Sequence, residues 1–288
     1  MNRQDKPLPL FLRRTMGEMM GATTDFLRRN RRSWLLYVGV PLLPCCLLLA
    51  RMKSTNEDMG SFQVIWSALM GFDFHLGEGF FTPETLLFAL ALTWVLWAVH
   101  ALLRVGTTPP SAAGEPASPR VMLRLLLPKA AVLFVMTYVA ARLLQMDSGM
   151  VLLLVVLLLP LSLFPPAWLL HDDGGGTTVV RFFNVLLSQW ANLMVVMVVM
   201  GFMVFMLRGV VQLPTLLMEV SIETLTRMDE RPSDWFLFLQ YLATALSWWA
   251  FFMGFSILAI QAAFVYGNGV EKVEGDTIVN DIYQFENL

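Results

Sequence analysis

Several polar side chains interrupt an otherwise apolar stretch near the middle of the chain, and their spacing limits what they could do. Asn184, Ser188 and Asn192 recur every four residues. Gln189 lies beside them, and Arg181 begins the stretch. A spacing of four places the first three on one face of a helix, and such groups are expected to face other helices rather than lipid. This polar seam predicts interhelical hydrogen bonds, with a path for a substrate or lipid as the alternative.

A second polar group precedes the seam. His171, Asp172 and Asp173 are followed by three glycines, a composition typical of a tight turn between two helices. The pattern favours a polar hairpin on the cytoplasmic side. A contact with a cation or a lipid headgroup is the alternative function of these three residues.

Metal and catalytic chemistry have little support in the sequence. Asp73, His75 and Glu78 have a spacing that could supply metal ligands, but the chain has only three histidines and no second cluster to complete a site. Metalloprotease, serine-protease, P-loop and dinucleotide-binding motifs are absent from the sequence. We therefore expect a protein without enzymatic activity, metal or cofactor, and nothing in the charge pattern indicates a nucleic-acid partner.

The elements that must position these residues are long apolar segments. Hydrophobic residues make up 57% of the chain and charged residues 15%, against about 45–50% and 25% in soluble proteins. About 20 apolar residues cross the hydrocarbon core of a bilayer as a helix. The sequence predicts an all-α polytopic membrane protein with six transmembrane helices, at 34–50, 85–103, 125–144, 149–170, 182–207 and 235–266.

The segment before the first span has the pattern of an amphipathic helix. At 100° per residue, the apolar side chains of residues 11–29 occupy one half of the helical wheel. This predicts a helix in the plane of the headgroups, serving as a topology anchor or as a sensor or docking arm. The arginines that follow are expected to contact anionic lipid headgroups: Arg28, Arg29, Arg31 and Arg32.

The distribution of Lys and Arg predicts the orientation. These residues are concentrated in the N-terminal segment and in alternate loops, which places both termini in the cytoplasm. The predicted domains are a basic arm at 1–33, a transmembrane domain at 34–266 and an acidic tail at 267–288. A Pro/Ala/Ser-rich linker covers 107–119. Residues 51–84 and 208–234 are predicted as outer loops, and whether they re-enter the membrane stays open.

A few polar or reactive residues fall within the spans themselves. Lys129 and Arg142 are expected to extend their charges to the interface, with a buried functional partner as the alternative. His100, near the end of the second span, is also expected at the interface. Cys45 and Cys46 are adjacent and have no third cysteine to pair with, so we expect them to be packing residues.

The stretch PPAWLLHDDGGGTTVVRFFNVLLSQW resembles a block found in bacterial multi-pass membrane proteins. Those families are the YciC-like proteins and the membrane domain attached to some glycerophosphodiester phosphodiesterases. The positions that carry the resemblance are Pro166, Asp172, Arg181, Phe183 and Trp190. The resemblance implies a six-helix fold in a bacterial inner membrane. It implies no catalytic residue, because the phosphodiesterase chemistry belongs to a separate soluble domain.

The match is loose and covers about a fifth of the chain. Phe182 replaces the serine that usually follows the basic residue, and Leu187 and Ser188 stand where a second basic residue is usual. The C-terminal stretch AAFVYGNGVEKVEGDTI also resembles the tails of related proteins from Bacteroidetes-like bacteria.

These observations favour a non-enzymatic inner-membrane protein that organises or supports a partner or an envelope process. Its contact surfaces would be the basic arm and the acidic tail. Ile278, Ile282 and Phe285 lie four and three residues apart, so the tail could form a short docking helix. The alternative is a small transporter or lipid-handling protein that uses the polar seam.

Overall fold

The computed structural model describes residues 10–53, 83–107, 118–144, 162–171, 175–227 and 232–286, and every regular element in those ranges is a helix. A π-helical turn at Leu35–Gly39 joins the first two helices. The α-helices are α1 (Met16–Trp34), α2 (Val40–Lys53), α3 (Pro83–Thr107), α4 (Pro119–Leu125), α5 (Leu127–Leu144), α6 (Phe164–Leu170), α7 (Gly175–Arg227) and α8 (Asp234–Glu286).

The described residues confirm an all-helical chain with several apolar helices long enough to cross a membrane. Four helices meet this condition: Met16–Met52, Pro83–Thr107, Gly175–Ile222 and Asp234–Gly275. Helices α4 and α5 are bent by 68° relative to each other, and they add a fifth span if the pair counts as one broken crossing. The apolar helices suggest a multi-pass membrane protein with four or five described spans. Most of the predicted span at 149–170 lies outside the described residues.

The bend between α4 and α5 has a local cause. Pro128 is the second residue of α5, where it cannot donate a backbone hydrogen bond to the preceding turn. Leu126, the residue that follows α4, has φ −85° and ψ −3°, outside the ideal helical values. Two further prolines, Pro165 and Pro166, lie in the first turn of α6, where a missing N–H costs nothing.

Helices α7 and α8 are much longer than the sequence analysis predicts. Each has 53 residues, which corresponds to about 80 Å at 1.5 Å per residue. Residues 208–227, assigned above to an outer loop, continue α7. Residues 267–286, assigned above to a tail, continue α8. The two helices run antiparallel and form the most extensive interface among the described elements.

The core forms mainly around α3 and α8. Phe88 of α3 lies among aromatic rings of α8, with its centroid 5.6 Å from that of Phe252 and 5.9 Å from that of Trp248. The apolar face of α1 also packs onto α8, where the Phe26 ring meets the Phe264 ring edge-on at 6.4 Å. The side of α1 that was expected to enter the headgroup layer is therefore covered by protein at Met19 and Phe26, which are fully buried.

Candidate functional site: a polar junction and a cleft where α7 begins

The buried member of the polar seam is Gln189, which is 1% exposed. Its Oε1 accepts hydrogen bonds from Asn192 Nδ2 at 2.9 Å and from Asn268 Nδ2 of α8 at 3.2 Å. Asn268 Oδ1 in turn accepts the backbone N–H of Arg14 at 2.7 Å. We call these four residues the polar junction. It connects α7, α8 and the segment that precedes α1.

Glycines on both sides of Asn268 allow the three segments to meet. A Cβ atom at position 269 would lie 2.5 Å from Val185 Cγ1 and 2.8 Å from Gln189 Cγ. A Cβ atom at position 267 would overlap the backbone carbonyl of Leu10. The sequence Gly-Asn-Gly therefore supplies one close contact with α7, one with the segment before α1 and, between them, a side chain that bonds to both.

The segment before α1 is held against α8 by side-chain contacts as well. The Arg14 guanidinium lies 5.3 Å from the centre of the Phe264 ring, and its Nη1 donates to the Leu10 carbonyl at 3.2 Å. Burial lowers the pKa of Arg14, and the charge of Glu18 partly opposes this shift. Thr15 and Glu18 form a reciprocal capping box that starts α1 directly after these contacts.

His171 connects this region to α5 and the N-terminal segment. Its ring lies 5.5 Å from the ring of Phe11 and 5.7 Å from that of Tyr266. Its carbonyl accepts a hydrogen bond from Lys129 Nζ at 2.5 Å, so the Lys129 ammonium has a protein contact. The other two residues of the predicted hairpin, Asp172 and Asp173, lie outside the described residues.

A cleft of about 370 Å³ opens between the first turns of α7 and the later part of α8. Arg181 Nε and Glu274 Oε1 form an ion pair of 2.6 Å in it, and the two side chains are 25% and 46% exposed. We call it the α7 cleft. Its lining residues are Gly176, Thr177, Val180, Arg181, Asn184, Val185, Val270, Val273 and Glu274.

The predicted seam is therefore divided between two environments. Arg181 and Asn184 line the α7 cleft, and Asn184 is exposed. Ser188 is half-buried, and its hydroxyl donates to the Val185 carbonyl of its own helix at 3.0 Å. Gln189 and Asn192 belong to the polar junction. The seam does not line one continuous cavity in the described structure. Its hydrogen bond to α8 is made by Gln189, which flanks the four-residue spacing, whereas Ser188 and Asn192 bond within α7.

A second polar stripe further along α7 was missed. Arg208, Gln212 and Thr215 are 8%, 6% and 2% exposed, and Arg208 contacts aromatic rings of α8. The Arg208 guanidinium lies 4.6 Å from the ring centre of Phe251 and 6.0 Å from that of Trp248. Neither Arg208 Nε nor Thr215 Oγ1 has a hydrogen-bond partner among the described residues. The spacing of four and three residues is a helical signal that the assignment of this region to a loop concealed.

The outer surface around this distal stripe is apolar. Val210, Leu213, Leu217 and Val220 are 65%, 53%, 67% and 52% exposed. Polar side chains thus face the neighbouring helix while apolar side chains face outward, the reverse of a water-soluble hairpin. This arrangement suits an apolar surrounding over the whole described length of α7.

Other buried polar or reactive residues lie outside these two regions. His100, expected at the interface, is fully buried, and its Nδ1 lies 2.6 Å from the Leu96 carbonyl. The Thr23 hydroxyl donates to Gln261 Oε1. Cys46 is buried and Cys45 packs against the same core, in line with a packing role. The arginines of the predicted headgroup contact are all exposed on α1: Arg28, Arg29, Arg31 and Arg32.

Two predicted features cannot be placed. Asp73, His75 and Glu78 lie outside the described residues, as does the side chain of Arg142. Among the residues that the structure describes, no group of three or more His, Cys, Asp or Glu side chains could hold a metal ion. The backbone at Ile278, Ile282 and Phe285 is helical as part of α8, and their side chains are not described.

Comparison with family models, with curated proteins and with solved structures found no match to this chain. The function must therefore be argued from geometry. The polar junction is occupied by structural hydrogen bonds, whereas the α7 cleft and the outward face of α7 are exposed to other molecules.

Proposed function

We propose that this chain is a non-enzymatic integral membrane protein that organises or supports a partner within the membrane. The observation that carries this proposal is the outward face of α7. Only 18% of the most apolar window of α7 is buried inside the protein, against 33% for Met16–Met52 and 72% for α3 and for α8. Exposed apolar residues follow one another along α7 from Val179 to Val220.

The length of this face exceeds what one bilayer needs. Val179 and Val220 lie about 60 Å apart along the helix, roughly twice the thickness of the hydrocarbon core. A steep inclination of α7 in the bilayer would place part of this excess length within the hydrocarbon core. An apolar helix of a partner protein covers the rest, and this is the occupant that we propose for the end of α7 beyond Leu207.

The finer topology belongs to the same proposal. We place six spans in a bacterial inner membrane, with both termini in the cytoplasm and the helix α1 near the headgroups. The concentration of Lys and Arg before the first span and the resemblance described above support this placement. The four exposed arginines of α1 would then contact anionic lipid headgroups.

Site-specific photo-crosslinking in cells tests the partner. A crosslinking side chain at Leu217, which is 67% exposed, should capture one protein species at near-stoichiometric yield. The same side chain at Leu213 should capture that species too, whereas Leu187 near the α7 cleft should capture lipid. Crosslinks to lipid alone at both distal positions would sink the proposal.

A lipid-handling or transport function is the second candidate, and the α7 cleft is the observation that favours it. The cleft exposes charged and amide groups next to apolar residues of α7. Transfer of labelled phospholipid between vesicles, with and without the purified protein, tests this function. Equal rates in both samples would count against it.

A further inference from the structure

We infer that the α7 cleft binds the headgroup of a zwitterionic phospholipid that carries a primary ammonium group. Arg181 and Asn184 would hold the phosphate, and Glu274 would hold the ammonium. The inference does not depend on the proposed partner, which contacts the opposite end of α7. It narrows the lipid-handling candidate to one class of lipid.

The charges of the cleft match such a headgroup. Arg181 and Glu274 are in contact at 2.6 Å and both remain partly exposed, so one wall offers a positive and a negative group side by side. A purely anionic headgroup would compete with Glu274 for Arg181 and would bring no cation to the carboxylate. A choline headgroup carries a cation but has no N–H to donate to Glu274, whereas an ethanolamine headgroup has three such donors.

The surface next to the cleft matches an acyl chain. Val180, Phe183, Leu187 and Trp190 are spaced three, four and three residues apart, so they form one stripe on α7. They are 61%, 53%, 79% and 38% exposed. The stripe begins at Val180, which lines the cleft, and extends about 15 Å along α7 to Trp190. A headgroup in the cleft would therefore place its chains along this stripe.

The size of the cleft agrees with a headgroup rather than with a whole lipid. Its volume of about 370 Å³ lies at the lower end of the range for small-molecule sites, about 300–1,000 Å³. Valines 180, 185, 270 and 273 form the apolar part of the wall. Arg181 and Asn184 are one helical turn apart on α7, and both line the cleft, so they can contact one phosphate together.

Lipid retention measured by native mass spectrometry tests the inference. The full-length protein is placed in nanodiscs of phosphatidylethanolamine, phosphatidylcholine or phosphatidylglycerol with identical acyl chains, then released into mild detergent. We expect one retained ethanolamine lipid per chain, with about tenfold less of the other two, which is the factor expected for one charge-assisted hydrogen bond. Equal retention of all three lipids, or preferential retention of phosphatidylglycerol, would overturn the inference.

Two variants separate the two charges. Glu274→Gln should remove the preference for ethanolamine over choline, while Arg181→Gln should reduce retention of both lipids. Glu271→Gln is the matched control, because this carboxylate lies on the same helix outside the cleft lining. If Arg181→Gln does not fold, Asn184→Leu replaces it, since Asn184 is exposed and lines the same wall. Wild-type lipid preference in Glu274→Gln would also overturn the inference.

A soluble competitor identifies the source of the headgroup. Glycerophosphoethanolamine, which lacks acyl chains, should displace the lipid only weakly, because the apolar stripe of α7 contributes to binding. Displacement at concentrations equal to those of the lipid would overturn the lipid assignment in favour of a soluble ligand. The partner proposal is tested at Leu213 and Leu217, so either proposal can fail while the other stands.

Discussion

The two halves of the α7–α8 pair differ in how their buried polar side chains are bonded. The proximal half contains the polar junction, and the distal half contains Arg208, Gln212 and Thr215. In the proximal half, Gln189 and Asn268 bond to each other, and Asn268 also accepts the Arg14 amide. In the distal half, Arg208 and Thr215 are buried, and Arg208 Nε and Thr215 Oγ1 lack hydrogen-bond partners in the described ranges. Gln189 Nε2 also lacks a hydrogen-bond partner in the described ranges, so the two halves differ in whether a side-chain hydrogen bond joins the helices, not in whether every buried polar atom is satisfied.

This difference indicates where the register of the two helices is determined. A hydrogen bond between buried side chains forms at one relative position of the two helices. A close contact at a glycine also limits how far the helices can shift. Both occur together at Asn268 and Gly269, whereas Gly254, where a Cβ atom would overlap Val204 Cγ1, has the close contact alone. Arg208 above an aromatic ring tolerates small shifts, because a cation and a ring face attract over a range of positions. The proximal half should therefore fix the pair, and the distal half should follow.

The largest expected effect comes from filling the close approach at the proximal half. Gly269→Leu should destabilise the folded protein by about 3 kcal/mol, because the new side chain would occupy the space of Val185 and Gln189. The measurement is the unfolding midpoint of the purified protein in a mild detergent. Gly209→Leu is the control in the distal half, where a Cβ atom would meet nothing within 4 Å. An equal loss of stability in both variants would contradict the difference between the halves.

A smaller loss is expected from removing the hydrogen bonds alone. Asn268→Leu leaves the Arg14 amide without its acceptor and removes one donor from Gln189, which should cost about 2 kcal/mol. The unfolding midpoint measures the loss, and weaker protection of the Arg14 amide in hydrogen exchange locates it. Ser188→Ala is the matched control, because its hydroxyl bonds only within its own helix turn. A neutral Asn268→Leu would mean that the junction does not position the helices.

Removal of the buried charge in the distal half should not lower the stability of the protein. Arg208→Met replaces a buried charge by an apolar side chain of similar length, and it should leave stability unchanged or raise it by about 1 kcal/mol. The ring contacts with Phe251 and Trp248 limit the gain. The unfolding midpoint again gives the result. A loss above about 1 kcal/mol would show that the guanidinium has an ionic partner, and would remove the contrast between the halves.

The sequence predicts the proximal half better than the distal half, for physical reasons. The four-residue spacing of Asn184, Ser188 and Asn192 marks a helix face without any knowledge of the fold. It identifies neither the flanking Gln189 as the residue that bonds to α8 nor Asn268 as its partner, because that pairing depends on the register of two antiparallel helices. Glycines beside Asn268 also suggest a loop when they are considered alone, whereas here they are needed for close packing.

The distal stripe was missed because the span was ended at the length of one bilayer crossing. Arg208 follows a long apolar run, so a charge at that position indicates the end of a span. The spacing of Arg208, Gln212 and Thr215 nevertheless continues the helical period, and the apolar residues between them continue the outward face. The point where the helical periodicity stops therefore indicates the end of α7 better than the charge of Arg208 does.

The smallest effect should come from the cap at the start of α1, and it should reach only the proximal half. The Thr15 hydroxyl accepts the Glu18 amide at 3.4 Å, and the Thr15 amide donates to the Glu18 carboxylate at 2.8 Å. Thr15→Ala should weaken this turn by about 0.5 kcal/mol, the low end for an exposed cap. Hydrogen exchange at the Glu18 and Arg14 amides should speed up by about twofold. Exchange at the distal Gln212 amide should stay unchanged.

The control for this prediction is Thr24→Ala, at an exposed threonine within α1. Its hydroxyl bonds the Met20 carbonyl in the middle of the helix, and alanine has the higher helix propensity, so the change should be neutral or slightly stabilising. Faster exchange at Arg14 in Thr15→Ala alone would connect the cap to the polar junction, because the Arg14 amide is bonded to Asn268. If the Gln212 amide responds as strongly as Arg14, the two halves of the helix pair are coupled and the distal half does not merely follow.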